Sequence, residues 1–341
     1  MTSSISSSES LPDPEIAAKW RRWLVAFLSV PLLGGAVILA FLIAVDPYDT
    51  GKFGLFDIDG IDDSNTRTAI PSRARDRQFD SAVIGNSTVQ RLNPAELSRV
   101  TGRRFVQLYM IGANPLETLA VLDLYLRSHP HPGALVIGAD PSWCSHQESD
   151  LGPELPYWLY DRSFFVYAVR MISWQTIEHA FQRIAIGLGL SRRGVVDGFL
   201  DYEEFWLPGR FREAAPPRDP PPAATDAGRN VFPAISLLDA AIKRLSSDVP
   251  IVLIVPPTVH PTVPQPGTIG GMEQEACNAA LARIVAGRPH SNFINYRVDN
   301  ALTRERANFA DFIHYRGVIA EKIVEGIAAS LRDGAGAKID F

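Results

Sequence analysis

Cysteine is scarce in this 341-residue chain: there are two, Cys144 and Cys277, far apart in sequence. No Cys-x-x-Cys pair occurs, which argues against a zinc knuckle or a dithiol redox motif. One disulfide between the two stays open if the domain lies in an oxidising compartment. A surplus of positive charge is also missing. The formal net charge is −5, which argues against a nucleic-acid binder. No internal repeat and no glycine-rich nucleotide loop occurs. Asp57-Ile58-Asp59-Gly60-Ile61-Asp62-Asp63 lacks the spacing and closing glutamate of a calcium-binding EF-hand loop, and reads as a solvated acidic turn. His129-Pro130-His131-Pro132 brings two histidines but no nearby acid, and reads as a surface turn. No metal and no cofactor is expected.

What the chain does have is apolar sequence, 46% of its residues against 21% charged. Residues 1–18 are polar and serine-rich, a composition that favours disorder. Lys19, Arg21 and Arg22 then precede an uncharged run that reaches Val45. About 20 apolar residues suffice to cross a bilayer. Trp20 and Trp23 suit the interface, and the basic cluster marks the cytoplasmic side. A cleaved signal peptide competes, but the run is long for one and Ala44-Val45-Asp46 makes no small-x-small cleavage site. The reading is a cytoplasmic tail over 1–22 and a single-pass anchor in the inner (cytoplasmic) membrane over 23–45. A connector over 46–78 and a periplasmic or otherwise extracytoplasmic domain over 79–332 follow. Pro31, Gly34 and Gly35 are tolerable in a membrane helix. Arg67, Arg73, Arg75 and Arg77 pair by default with the acidic turn; lipid headgroups or an anionic substrate are the alternatives.

The rest of the chain is organised around Ser81-Ala82-Val83-Ile84-Gly85-Asn86-Ser87. This is a buried strand that stops at a glycine suited to a tight turn, with Ser87 at its carboxyl end, where open α/β sheets bind ligands. A serine that merely caps the next turn is the competing reading. A second stretch, Phe309-Ala310-Asp311-Phe312-Ile313-His314-Tyr315, puts an acid three residues before a histidine. Asp311 can hold one imidazole nitrogen of His314 while the other faces a serine, the division of labour of a serine–histidine–acid triad. Between these ends, Asn93-Pro94 and Asn114-Pro115 cap and open helices. Apolar runs at 104–110, 134–140, 251–255 and 292–296 read as further strands, and their alternation with helices argues a parallel sheet. Val318, Ile319, Ile323, Ile327 and Leu331 give a final helix an apolar face.

Residues 145–232 read as an insertion between the third and fourth strands, with one helix from about Ser163 to Gly187. Its aromatics, Tyr157-Trp158-Leu159-Tyr160 and Phe164-Phe165-Val166-Tyr167, have three readings: a local core, a substrate wall or a membrane-facing surface. The first leads. A short helix or turn holds Tyr202, Phe205 and Trp206, and Pro216–Pro222 marks an extended loop. His260, in the proline-rich loop after the fourth strand, is a second candidate base, but no acid stands near it in sequence.

Ser87 together with Asp311-x-x-His314 resembles the SGNH (GDSL-type) hydrolase family. The Gly-x-Ser-x-Gly elbow of α/β-hydrolases is a different motif, and Val89 replaces its second glycine. The resemblance implies a three-layer α/β domain of flavodoxin-like order with five parallel strands. It implies Ser87 as nucleophile, His314 as base and Asp311 as its orienting acid. It also implies an oxyanion hole from the loops after the second and third strands, where Gly112 matches by place. The expected asparagine has no match: Asp140 stands nearest, and Asn114 or an amide near Ser142 would substitute. Pro141-Ser142-Trp143 is similar to the membrane-anchored branch of the family, which passes D-alanyl or other acyl groups to envelope glycans beside multi-span membrane acyltransferases.

Two functions follow as expectations. One is an extracytoplasmic serine esterase or O-acyltransferase acting on acyl, most plausibly acetyl, esters of a cell-envelope polysaccharide. The other is a catalytically inactive module of the same fold that binds glycan or scaffolds an envelope complex.

Overall fold

The computed structural model describes residues 14–147, apart from 53, 57, 59 and 63, together with 155–204 and 231–341. The readings on the tail before residue 14, on Asp57, Asp59 and Asp63, on Phe205 and Trp206, and on Pro216–Pro222 lie outside them. Five strands, β1 (Ser81–Asn86), β2 (Phe105–Met110), β3 (Ala134–Gly138), β4 (Ile251–Val255) and β5 (Asn292–Asn295), form one parallel sheet in the order β2-β1-β3-β4-β5. The order is flavodoxin-like, as expected. The central strands are continuous apolar runs because both of their faces are covered. Ala82, Ile84, Leu135, Ile137 and Leu253 enter one core, whereas Val83, Val136, Val252 and Ile254 enter another. The alternation is the period-2 geometry of a strand.

Helices fill the two outer layers. A long helix α1 (Pro14–Val45) and a short α2 (Thr66–Arg75) precede the sheet, α3 (Pro94–Thr101) follows β1, and α4 (Pro115–Ser128) follows β2. Asn93 and Asn114 cap α3 and α4 with their side chains, as their Asn-Pro pairs predict. Between β3 and β4 lie α5 (Tyr157–Tyr160), α6 (Phe164–Arg170), α7 (Trp174–Gly187) and α8 (Pro233–Ile242). Next come α9 (Ile269–Val285), α10 (Ala301–Arg304) and α11 (Gly317–Asp333). Helices α4, α8 and α9 pack on one sheet face, α3 and α11 on the other. On α11, Ile319, Ile323, Ile327 and Leu331 are buried at helical spacing, each contributing roughly 1.5–3 kcal/mol. Val318 does not join them; it is 48% exposed.

The single helix expected from Ser163 to Gly187 is two. Ser173 adopts an extended backbone and its hydroxyl accepts from the Thr176 amide, which stops α6 and starts α7. The aromatic stretch divides as well. Leu159, Tyr160 and Tyr167 are buried in the core, while Phe164 and Phe165 are exposed. His129 is no surface residue: it is buried and stacked on Tyr125 at 4.2 Å.

Helix α1 is long and apolar enough to cross a membrane, with a mean hydropathy of 2.5 over its most apolar 18 residues. It begins at Pro14, so residues 14–18 of the polar tail are helical. Its last turns do not hang free. Leu42 and Val45 are at most 1% exposed, and Phe41 packs on Phe181 of α7. Directly afterwards Asp46 and Asp49 take left-handed backbone conformations (φ 47° and 48°), which aspartate tolerates better than most residues. Both side chains are buried. Tyr167 Oη donates to Asp46 at 2.8 Å, Arg183 donates to Asp49 at 2.6 Å, and Arg75 pairs with Asp49 too. Arg67 pairs with Glu117 at 3.3 Å. Arg67 and Arg75 thus have ion-pair partners outside the 57–63 turn, of whose acids only Asp62 is among the described residues. Arg73, Arg75 and Arg77 line a cleft of about 700 Å³ with Asp49 and Arg193, which none of Ser87, Asp311 or His314 lines.

Candidate active site

Strand β1 runs out through Gly85 and Asn86, and Ser87 opens a 3-10 turn, Ser87–Val89. Asn86 caps that turn: its Oδ1 accepts from the Thr88 amide at 3.0 Å and the Thr88 hydroxyl at 2.6 Å. Gly85 is not itself the turn, contrary to expectation, because it stays within the strand. Its missing Cβ makes room instead. A Cβ on Gly85 would meet Val89 Cγ2 at 2.9 Å, and one on Gly138 would meet Val89 Cγ1 at 2.3 Å. Val89 thus wedges between two glycine-bearing strands and folds the turn back onto the sheet, which leaves Ser87 half-buried at the strand's carboxyl end.

The partner stretch is built just as locally. Phe309 and Tyr315 form an antiparallel bridge, and the Ala310 amide donates to the His314 carbonyl at 2.8 Å. The loop between them turns on Asp311, whose Oδ1 accepts the amides of Ile313 and His314, both at 2.8 Å. Side-chain acceptors of this kind favour turns over helix. The Val259 amide donates to the Phe312 carbonyl at 3.1 Å and ties the loop to the end of β4.

These two pieces meet. His314 Nδ1 donates to Asp311 Oδ2 at 2.7 Å, and the Ser87 hydroxyl donates to His314 Nε2 at 2.9 Å. Burial works to raise the Asp311 carboxyl. The hydrogen bond and charge of His314 and the two amides outweigh it and hold the group below its ordinary value. Asp311 therefore stays a carboxylate at neutral pH and fixes the tautomer that leaves Nε2 free to accept a proton. The arrangement can deprotonate a hydroxyl nucleophile, which is what a serine needs to attack a carbonyl carbon.

The predicted oxyanion residues take different parts. Gly112 lies in the exposed turn after β2 with φ +65°, and a Cβ there would meet open space. Asn114 spends its side-chain oxygen as the cap of α4, accepting from the Glu117 amide at 3.0 Å. Asp140 is half-buried after β3. Burial pushes its carboxyl up, against the hydrogen bonds from Ser142 and Asn86. Asn86 Nδ2 donates to one oxygen at 2.7 Å and the Ser142 hydroxyl donates to the other. So Asp140 is tied to the residue preceding the nucleophile. His260 does have an acid, Asp299, at 3.4 Å, hidden by a sequence gap. Asp299 also holds Arg304, and the Ser87 hydroxyl meets His314.

Sequence reasoning missed Asn86 and the returning limb of the insertion. Tyr202 lies edge-on to His314 with ring centroids 5.9 Å apart, and its hydroxyl donates to the Tyr315 carbonyl. Glu203 accepts the Gly317 amide at 2.9 Å, and Arg91 pairs with both Asp201 and Glu203. The signal available was Asp201-Tyr202-Glu203 itself, a cluster with no helical or strand period. Cys144 and Cys277 are disulfide-bonded, fastening the turn that carries Ser142 to α9. No family model matches this chain, and neither the curated proteins nor the solved structures contain a match to it.

Proposed function

We propose that this chain is an SGNH-type serine esterase or O-acyltransferase, anchored by α1 and acting outside the cytoplasm on acyl esters, acetyl in the first instance, of a cell-envelope glycan. The observation that carries this reading is the hydrogen-bonded relay Ser87–His314–Asp311, with both links under 3 Å. A module that only binds has no need of all three roles. Ser87 Oγ attacks the acyl carbon as His314 Nε2 takes its proton, and the tetrahedral intermediate collapses as His314 returns that proton to the departing alcohol oxygen. Water or a sugar hydroxyl then attacks the acyl-enzyme. His314 again takes the proton and Ser87 is restored. Backbone amides of Ser87 and Gly112 hold the oxyanion in this scheme. The Cys144–Cys277 disulfide supports an oxidising compartment. The basic cluster ahead of Trp23 supports a cytoplasmic N-terminus.

A single anchor offers no polar path for an acyl group through the bilayer, and activated thioesters are made inside the cell. In the transferase form, a multi-span membrane acyltransferase therefore supplies the acyl group. The reading is tested with a serine-directed phosphonate probe. Wild type is expected to label, and Ser87→Ala to lose labelling with an unchanged circular dichroism spectrum. Equal labelling of the two would falsify the assignment. No labelling of either favours the glycan-binding module, for which Asp140 in place of an asparagine is the one supporting feature.

A further inference from the structure

The insertion leaves a set of large apolar side chains facing outward. On α6, Phe165 and Val169 are 73% and 58% exposed, and Ile172 follows at the same helical spacing. On α7, Trp174 and Phe181 are 73% and 61% exposed, two turns apart on one side. Monomeric soluble proteins rarely leave such a surface to water; it marks contact with a protein or a membrane. What lies next to it decides between them. Phe181 packs against Phe41 of α1 with ring centroids 5.8 Å apart, so the exposed side of α7 adjoins the helix that is apolar enough to cross a bilayer.

Length sharpens the placement. From Trp23 to Phe41, α1 rises roughly 27 Å at 1.5 Å per residue. The hydrocarbon core is about 30 Å thick. Beyond Phe41 the helix is built into the domain, since Leu42 and Val45 are buried. No free length remains to lift the domain away from the lipid. Phe41 and Phe181 therefore fall at the outer boundary of the hydrocarbon, the depth at which aromatic side chains concentrate.

We propose that the exposed faces of α6 and α7 rest in the headgroup–acyl boundary of the leaflet from which α1 emerges, so that the domain is held by a helix and an apolar apron together. The inference rests on the reading of α1 as a membrane span. It does not depend on the chemistry at Ser87. Lipid, not a partner protein, is the occupant because the apron joins, through Phe181 of α7, the helix that is apolar enough to cross a bilayer.

The test uses the full chain in nanodiscs of phosphatidylcholine and phosphatidylglycerol. The two native cysteines are bonded to each other, so single cysteines at exposed positions take a nitroxide label selectively. Val169→Cys and Trp174→Cys report on the apron, Leu28→Cys on the span, and Val318→Cys on a water-exposed face. The readout is the ratio of collisions with oxygen to collisions with a nickel chelate. Ratios at 169 and 174 several-fold above that at 318, and close to that at 28, support the proposal. Ratios equal to that at 318 while 28 stays lipid-like overturn the apron and leave the span standing. Water-like behaviour at 28 overturns the span and the apron with it. Shielding of 169 and 174 from both reagents means protein covers them, and also overturns the proposal.

Discussion

Asp311 accepts three hydrogen bonds, two from backbone amides that shape its loop and one from His314. Replacing it with asparagine keeps the volume and removes the charge that fixes the imidazole tautomer. In the proposed mechanism, Asp311→Asn should slow phosphonylation of Ser87 by the probe by up to about 10⁴-fold, the scale of tautomer loss in a serine triad. The pH dependence has a defined sign. The folded carboxyl is held below the ordinary aspartate value of about 3.9. Its stabilisation is therefore fully present above that value and is lost as pH falls through the lower folded one. The melting-temperature gap between wild type and Asp311→Asn should close as pH falls below about 4. A gap undiminished below that range contradicts the assignment.

Asp140 makes the opposite case. Burial raises its carboxyl, and in the proposed mechanism a negative charge there opposes an oxyanion forming nearby. Asp140→Asn can still accept from Asn86 and donate to Ser142. Phosphonylation of Ser87 by the probe should rise, on the order of several-fold if one unfavourable charge costs about 1–1.5 kcal/mol in the transition state. A fall of ten-fold or more would mean that the carboxylate is needed. The triad itself was legible because each half is local: a serine at a strand end, and an acid three residues before a histidine. The Asn86–Asp140 bond was not, because it joins two strand ends whose adjacency exists only once the sheet is formed.

Among the elements, those that end in local chemistry were the legible ones. Asn93-Pro94 and Asn114-Pro115 state their helix starts outright, since an asparagine cap and an N1 proline need no distant partner. The break at Ser173 escaped because apolar residues continue straight across it, and only the hydroxyl-to-Thr176 bond selects the cap over continued helix. Helix α11 conceals a similar device. Its N-cap residue, Arg316, makes no side-chain cap, and the Gly317 amide goes instead to Glu203, from within the insertion. A carboxylate at a helix N-terminus also meets the positive end of the helix dipole. Glu203→Ala should therefore cost about 1 kcal/mol of stability, as loss of a cap does. Arg91 would keep Asp201 as a partner. Because α11 begins three residues after His314, slower probe labelling is expected alongside the lower melting temperature. Glu203→Gln, which can still accept from the amide, should recover most of the rate.

At the scale of the molecule, the boundary drawn at Val45 from hydropathy does not coincide with the one drawn by packing. Hydropathy cannot tell an exposed leucine from a core leucine, and α1 carries both. A fragment starting at residue 46 removes Leu42 and Val45 from the core, each contributing roughly 1.5–3 kcal/mol. It also removes Phe41 from beneath Phe181. It should melt well below a fragment starting at residue 39 when both are purified in the same detergent. Equal melting temperatures would mean that these side chains contribute nothing to the fold.

The same continuity governs what the site can reach. A flexible linker of n residues lets a tethered domain roam about 5–6 Å × √n from its attachment point. This chain has no such slack. The helix passes into the core and is locked at once by Asp46 and Asp49 against Arg183. The protein is thus mounted on a post, not a leash. With α1 spanning a bilayer as proposed, Ser87 keeps one height and one bearing relative to the membrane plane, and can tilt only as far as α1 tilts. In the proposed function, acyl esters within a thin shell above the lipid would be presented to it at a constant angle. Those farther out are beyond reach unless their own chains bend down to meet it.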